Sequence, residues 1–175
     1  MKKVLVVVDL QKDFVDGALG TKEAEAIVPA AADVISGFDG DEILVTYDTH
    51  YPDYFDTLEG KKLPVLHCIE GTPGHALDEQ IQAALAGKKY REFSKHTFGN
   101  FEVGSYLKEK YADGEIELEI IGLCTDICVV SNALILRTFF PNSIIKVRAD
   151  CCAGVTPETH LAALDTMRCC QIDII

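Results

Sequence analysis

The sequence predicts an α/β fold built on a parallel sheet that is buried on both faces. Two observations carry that prediction. Apolar, β-branched runs at residues 4–8 and 43–46 are continuous, where a half-exposed strand would alternate. Strand-like and helix-like segments also alternate through most of the chain, which calls for right-handed crossovers and places a site at the carboxyl ends of the strands. Further runs lie at 116–121, 144–147 and 172–175, the first opening with alternating Glu117 and Glu119, so its start is expected to be more exposed. A short β-like run begins at Tyr90. Helical patterns occupy 23–35, 76–85, 101–111, 126–138 and 157–167, the last with Thr156 as N-cap and Pro157 in the first turn.

Composition narrows the class. With 175 residues, 48% hydrophobic and 25% charged, the chain can bury a core without cross-links, and with no repeat or linker in it residues 1–175 are expected to form a single domain. A net charge of -12 repels a phosphate-rich partner, which excludes nucleic acid. The opening MKKVLVVVDL is apolar, but it is short, meets Asp9 and lacks a small-residue cleavage site, so it reads as a buried strand and not as a signal peptide. No stretch reaches the roughly 20 apolar residues of a membrane helix. The seven cysteines are odd in number and include the adjacent pairs Cys151-Cys152 and Cys169-Cys170, which fits a reducing compartment; a cytoplasmic protein is expected.

The chemistry-bearing segment is Ile120-Ile121-Gly122-Leu123-Cys124-Thr125-Asp126-Ile127-Cys128, where a strand passes through a glycine turn into a helix. Cys128 falls in the first helical turn, where backbone N–H groups and the helix dipole favour a thiolate and can hold an oxyanion. Asp9 ends the first buried strand, a costly place for a carboxylate without a partner or a task, and can accept a thiol proton. Lys95, between a β-like run and an aromatic-rich turn, can stabilise that carboxylate; its neighbour His96 is a rival base by residue type. His75 and His160 read as helix-face residues, and the other cysteines as packing.

The stretch 47–74 has no clear period and holds three prolines and three glycines, and a loop this long is usually functional. At its start Asp48 and His50 stand two apart, so both can face one side of an extended chain and bind a borderline divalent metal.

Three motifs in order, Val7-Val8-Asp9-Leu10-Gln11-Lys12-Asp13-Phe14, Lys95 ahead of Phe98 and Phe101, and Gly122-Leu123-Cys124-Thr125-Asp126-Ile127-Cys128-Val129, resemble the isochorismatase-like cysteine hydrolases, and within them the nicotinamidases. The resemblance implies a three-layer, Rossmann-like fold with a mostly parallel six-stranded sheet flanked by helices. It implies Cys128 as nucleophile, Asp9 as base and Lys95 as their positive partner. It also implies a cis Leu123–Cys124 peptide that turns the N–H groups of Cys124 and Cys128 toward one oxyanion. Asp48, His50 and His67 resemble the family's metal ligands, with Glu59 completing the set and Asp56 as the alternative. Zn²⁺ is the expected ion, with Mn²⁺ and Fe²⁺ as alternatives. Phe14 and Leu19 resemble the apolar walls around a flat ring, and assembly into a homo-oligomer is common among relatives. Pro64 stands where many members have an aromatic residue.

The implied function is cysteine-dependent hydrolysis of nicotinamide to nicotinic acid and ammonia, a step of NAD salvage. Two alternatives are a related amidohydrolase acting on another amide, carbamoyl or ureido compound, and a redox-responsive binding protein in which Cys124 and Cys128 form a reversible disulfide.

Overall fold

The first apolar run becomes β1 (Lys2–Val8), whose residues from Val4 onward are buried by neighbours on both sides and both faces. The computed structural model describes residues 1–111 and 115–175. In it β1 pairs in parallel with β2 (Glu42–Asp48) on one side and β4 (Ile116–Leu123) on the other. Beyond β2 lies β3 (Tyr90–Lys95); beyond β4 lie β5 (Ile144–Ala153) and the short β6 (Asp173–Ile174). The six strands run in the order β3-β2-β1-β4-β5-β6, and every pairing is parallel.

The alternation of side chains along β1 divides the core. Val4, Val6 and Val8 face the layer made by α5 (Phe101–Tyr111), α6 (Val130–Phe139) and α7 (Pro157–Cys169). Leu5 and Val7 face α2 (Lys22–Gly37) and α4 (Glu79–Leu85). The three-layer arrangement follows, since each fully buried aliphatic side chain contributes about 1.5–3 kcal/mol that a bare sheet face would lose. The single turns α1 (Lys12–Val15) and α3 (Leu58–Lys62) lie in the connections above the sheet's carboxyl edge. Among the described residues, no helix is long and apolar enough to cross a membrane.

Local chemistry sets the boundaries. Thr21 caps α2 by accepting from the Ala24 N–H, and Thr156 forms a reciprocal capping box with Thr159 at the start of α7. The glutamates that opened the fourth strand's pattern are half-buried and paired across the sheet, Glu117 with Lys146 at 2.7 Å and Glu119 with Arg148 at 2.8 Å. These same charges hid the length of β5, which runs on to Ala153 past Arg148 and Asp150, with a register shift opposite β4 between Ile120 and Gly122.

Two helix expectations are corrected. The pattern at 76–85 becomes helical at Glu79, because Asp78 accepts from the Gln80 N–H and caps it there. His75 therefore belongs to the 3-10 turn Pro73–His75 and not to a helix face; its ring is bonded to Thr49 Oγ1 at 3.0 Å. The segment at 126–138 is also not one regular helix: Thr125–Val129 is a π-helical turn that leads into α6.

Gly122 sits at φ +129°, and a Cβ there would lie 2.0 Å from the Val8 carbonyl oxygen. Gly122→Ala is expected to cost about 3 kcal/mol or more, since left-handed strain and a backbone collision add. Urea unfolding should show this as a lower midpoint at unchanged slope.

Candidate active site and metal centre

Parallel register brings four strand ends together. Val8 lies beside Thr46 on β2 and Gly122 on β4, and Asp48 lies beside Lys95 on β3. Asp9 follows β1 at φ +48°, a left-handed conformation that aspartate tolerates better than most side chains, and is fully buried. Its Oδ1 accepts from Thr46 Oγ1 at 2.6 Å, and its Oδ2 is ion-paired with Lys95 Nζ at 2.7 Å. Lys95 Nζ also reaches Asp48 Oδ1 at 3.1 Å and Cys128 Sγ at 3.4 Å. Asp9 and the Cys128 thiol are both neighbours of the Lys95 ammonium, and the Asp9 charge acts on the thiol. The peptide between Leu123 and Cys124 is cis. His96 stands apart from this group, bonded to the Thr49 carbonyl at 3.0 Å and tilted against Tyr51.

Charge placement decides which group keeps the proton. Burial opposes a charged Lys95, but the carboxylates of Asp9 and Asp48 and the adjacent sulfur outweigh it and hold the ammonium above the ordinary lysine range. Burial raises Asp9, against the pull of Lys95. The dipole argument for a depressed thiol does not prevail: burial first, and then the Asp9 charge, push Cys128 well above an ordinary thiol despite Lys95. Cys128 therefore rests as a thiol. Cys124, also a free thiol, is pushed up to about 12 by burial and by Asp126 and Asp9.

The long loop is tied beside this group by pairing of its own. His50 N–H donates to the Cys68 carbonyl at 2.9 Å and Glu70 N–H to the His50 carbonyl at 2.9 Å, so His50 and Ile69 form one parallel bridge just beyond β2. That pairing sets His50 beside His67, with ring centroids 4.7 Å apart. Glu59 arrives on α3, so the helix that sequence did not reveal supplies a fourth group. Asp48, His50, Glu59 and His67 each direct one donor atom into a space where all four lie within 4.8 Å of one another. His50 Nε2 is 3.0 Å from Asp48 Oδ2 and 3.6 Å from Glu59 Oε1, while His67 Nε2 is 3.5 Å and 3.8 Å from the same atoms. His67 Nδ1 bonds the Val65 carbonyl at 2.8 Å, which turns Nε2 toward the cluster. His50 Nε2 is buried without a hydrogen-bond partner among the described residues. An orphaned imidazole nitrogen facing a second one and two carboxylates is a donor set that fits a divalent metal. Asp56 is not in the set.

A cavity of about 220 Å³ is lined by residues of both centres, Cys128 and Cys124 together with Asp48, Glu59 and His67. Phe14 and Leu19 line it as the resemblance implied, joined by Leu63, Phe98, Ile127 and Val155. Sequence reasoning missed Leu63, Ile127 and Val155 as walls, since each lies in a loop or irregular turn. It also missed Tyr54, a buried ring edge-on to His50 at 4.7 Å and to His67 at 5.2 Å, whose hydroxyl donates to the Leu63 carbonyl at 2.9 Å. An aromatic residue two before Asp56 was the available signal.

The chain is similar to known proteins along nearly its whole length. The isochorismatase domain model matches residues 3–175. A nicotinamidase/pyrazinamidase of Mycobacterium tuberculosis is 26% identical over 188 residues, covering 99% of this chain and 98% of that one. The crystal structure of a nicotinamidase/pyrazinamidase from Bacillus subtilis superposes with a TM-score of 0.85 at 25% identity over 99% of both chains. A Pyrococcus horikoshii pyrazinamidase solved in complex with zinc does so at 0.79 and 25%, covering 100% of this chain and 99% of that one. The chain belongs to the isochorismatase family of hydrolases. Within it, this is a nicotinamidase-like amidohydrolase.

Metal-stripped protein is expected to take up Zn²⁺ stoichiometrically. Glu59→Gln should weaken that uptake by about 10-fold or more, whereas Asp56→Asn should leave it unchanged. Competition with a chromophoric chelator measures both, and equal losses in the two variants would remove Glu59 from the set.

Proposed function

We propose that the protein hydrolyses nicotinamide to nicotinic acid and ammonia through a thioester on Cys128. The observation that carries this reading is the buried contact of Lys95 with Asp9, Asp48 and the Cys128 thiol at the floor of an apolar cavity, next to a two-histidine, two-carboxylate cluster. A thiol, a base that reaches it and a fixed cation are what acyl transfer through sulfur requires.

The flat ring lies between Phe14, Leu19 and the other apolar walls, with its carboxamide over Cys128. Asp48, His50, Glu59 and His67 would hold a divalent ion, Zn²⁺ by donor type with Mn²⁺ or Fe²⁺ as alternatives, which would supply a Lewis acid to orient the ring nitrogen. Asp9 takes the thiol proton as sulfur bonds to the amide carbon, and the carbonyl π-electrons move onto oxygen. The backbone N–H groups of Cys124 and Cys128 receive that oxyanion. Lys95 offsets the negative charge that passes between Asp9 and the sulfur. As the oxyanion collapses, the C–N bond breaks, and the nitrogen leaves as ammonia with the proton from Asp9. Asp9 then takes a proton from water as its oxygen attacks the thioester carbon, the C–S bond breaks, and the proton returns to sulfur. The acid product is a precursor for NAD salvage.

Ammonia release from nicotinamide by zinc-replete protein, beside a panel of carbamoyl and ureido compounds, tests the reading. Cys128→Ala should lower turnover at least about 10³-fold with the fold retained. Substantial residual turnover removes the cysteine mechanism, and release from another amide alone removes the substrate.

The pH profile tests the base. Asp9 must be ionised to accept the thiol proton, and burial raises its pKa, so kcat/KM should fall as pH drops through a value above the ordinary aspartate figure of about 3.9. With metal saturating throughout, an acid limb at or below that figure would contradict Asp9 as the base.

A further inference from the structure

Asp13 lies outside both centres yet is bonded to the segments that build them. It sits on α1, four residues after Asp9, with its carboxylate turned toward the long loop. Oδ2 accepts from the Cys68 N–H at 2.7 Å, and Oδ1 accepts from the Ala18 N–H at 3.2 Å.

Each of these partners adjoins working parts of the site. Cys68 follows His67 directly, holds φ +46°, and is the residue whose carbonyl receives the His50 N–H. Its position therefore sets both histidines. Ala18 precedes Leu19, and Phe14, next to Asp13 in sequence, packs on the His67 ring at a centroid distance of 5.6 Å. One carboxylate joins the histidine-bearing segment to both of the cavity walls that the resemblance implied, Phe14 and Leu19.

Space is reserved for that carboxylate. A Cβ on Gly74 would lie 2.1 Å from Asp13 Oδ2, and its three nearest neighbours would all be atoms of the Asp13 side chain. Gly74 is not among the positive-φ glycines, so the room it leaves, and not its backbone conformation, is what glycine provides there.

We propose that Asp13 is a positioning residue that assembles the metal centre, fastening the His67–Cys68 segment against the Phe14–Leu19 wall. This rests on the reading of Asp48, His50, Glu59 and His67 as a metal site. Asp13 touches neither metal nor substrate; it acts through the Cys68 and Ala18 amides.

The test uses Asp13→Ala, Asp13→Asn and Gly74→Ala. The first loses both bonds. The asparagine keeps an acceptor for the Cys68 N–H but presents its NH₂ to the Ala18 N–H. The last displaces the carboxylate from a residue with no part in either centre. Zinc affinity is measured on metal-stripped protein by competition with a chromophoric chelator, KM and kcat for nicotinamide on zinc-replete protein, and iodoacetamide alkylation of Cys128 with thermal melting on the metal-free form. Zinc binding should weaken by about 10- to 100-fold in Asp13→Ala and Gly74→Ala and less in Asp13→Asn, with KM rising more than kcat falls. Cys128 alkylation should stay within about twofold, the scatter that context alone introduces in such rates.

Unchanged zinc affinity in Asp13→Ala overturns the positioning role while leaving the metal reading intact. Zinc loss accompanied by a proportionate change in Cys128 alkylation and in melting assigns Asp13 to general stability and overturns the proposal. A wild-type protein that binds no zinc overturns both the metal reading and the proposal built on it.

Discussion

The Lys95 ammonium sits out of water between the carboxylates of Asp9 at 2.7 Å and Asp48 at 3.1 Å, with the Cys128 sulfur at 3.4 Å. Removing such a cation from water costs several kcal/mol, and deleting one partner of a buried pair typically costs about 3–5 kcal/mol. The architecture supplies the compensation. Asp9, Asp48 and Lys95 come from the ends of three adjacent strands whose register is fixed by apolar burial on both faces, so the partners are held before any substrate arrives. Asp48 has a second task, since its Oδ2 faces His50 and His67 while its Oδ1 faces Lys95. A single carboxylate thereby joins the thiol group to the candidate metal ligands His50 and His67, and the loop carrying the histidines has to be fastened to that edge of the sheet.

The same charges explain why the thiol keeps its proton at rest. Asp9 and Asp48 already flank the one ammonium, so a thiolate beside them would add a further negative charge in a buried place. A helix N-terminus ordinarily favours the thiolate. Here burial and Asp9 outweigh it. In the proposed reaction the charge on sulfur need not persist, because it passes to the carbonyl oxygen as the C–S bond forms. Such a site is reactive toward a correctly placed carbonyl and quiet otherwise.

How far the sequence could be read follows from how each feature is encoded. Strands buried on both faces write continuous runs of Val, Ile and Leu, so β1, β2 and the latter part of β4 were visible. The far half of β5 was not, because Arg148 and Asp150 interrupt the pattern while the sheet continues. Asp9, Lys95 and Cys128 each follow or end a strand, and topology converts that placement into proximity. The 47–74 stretch was opaque for the opposite reason. Its order comes from a few anchors whose partners are remote in sequence, such as the Asp13 carboxylate on the Cys68 amide and the Tyr54 ring beneath two histidines. Neither pattern has a period. Glu59 was reachable through resemblance alone, since the five-residue α3 that presents it is too short to announce itself.

The cavity's composition bears on what leaves it as much as on what enters. Phe14, Leu19, Leu63, Phe98, Ile127 and Val155 offer apolar surface suited to a flat, uncharged ring. Among the described residues lining the cavity there is no lysine or arginine, and the ammonium beneath it is already matched by two carboxylates. Hydrolysis turns a neutral amide into an anion. In the proposed reaction that anion forms in a cavity lined by Asp48 and Glu59, in a protein whose net charge is -12, and a divalent ion held by the four donors would offset part of the local charge. In that reading the amide and the acid share the ring contacts, while the acid alone meets the negative field of the chain. In the proposed reaction the excess of acidic residues thus favours departure of the acid from an apolar pocket.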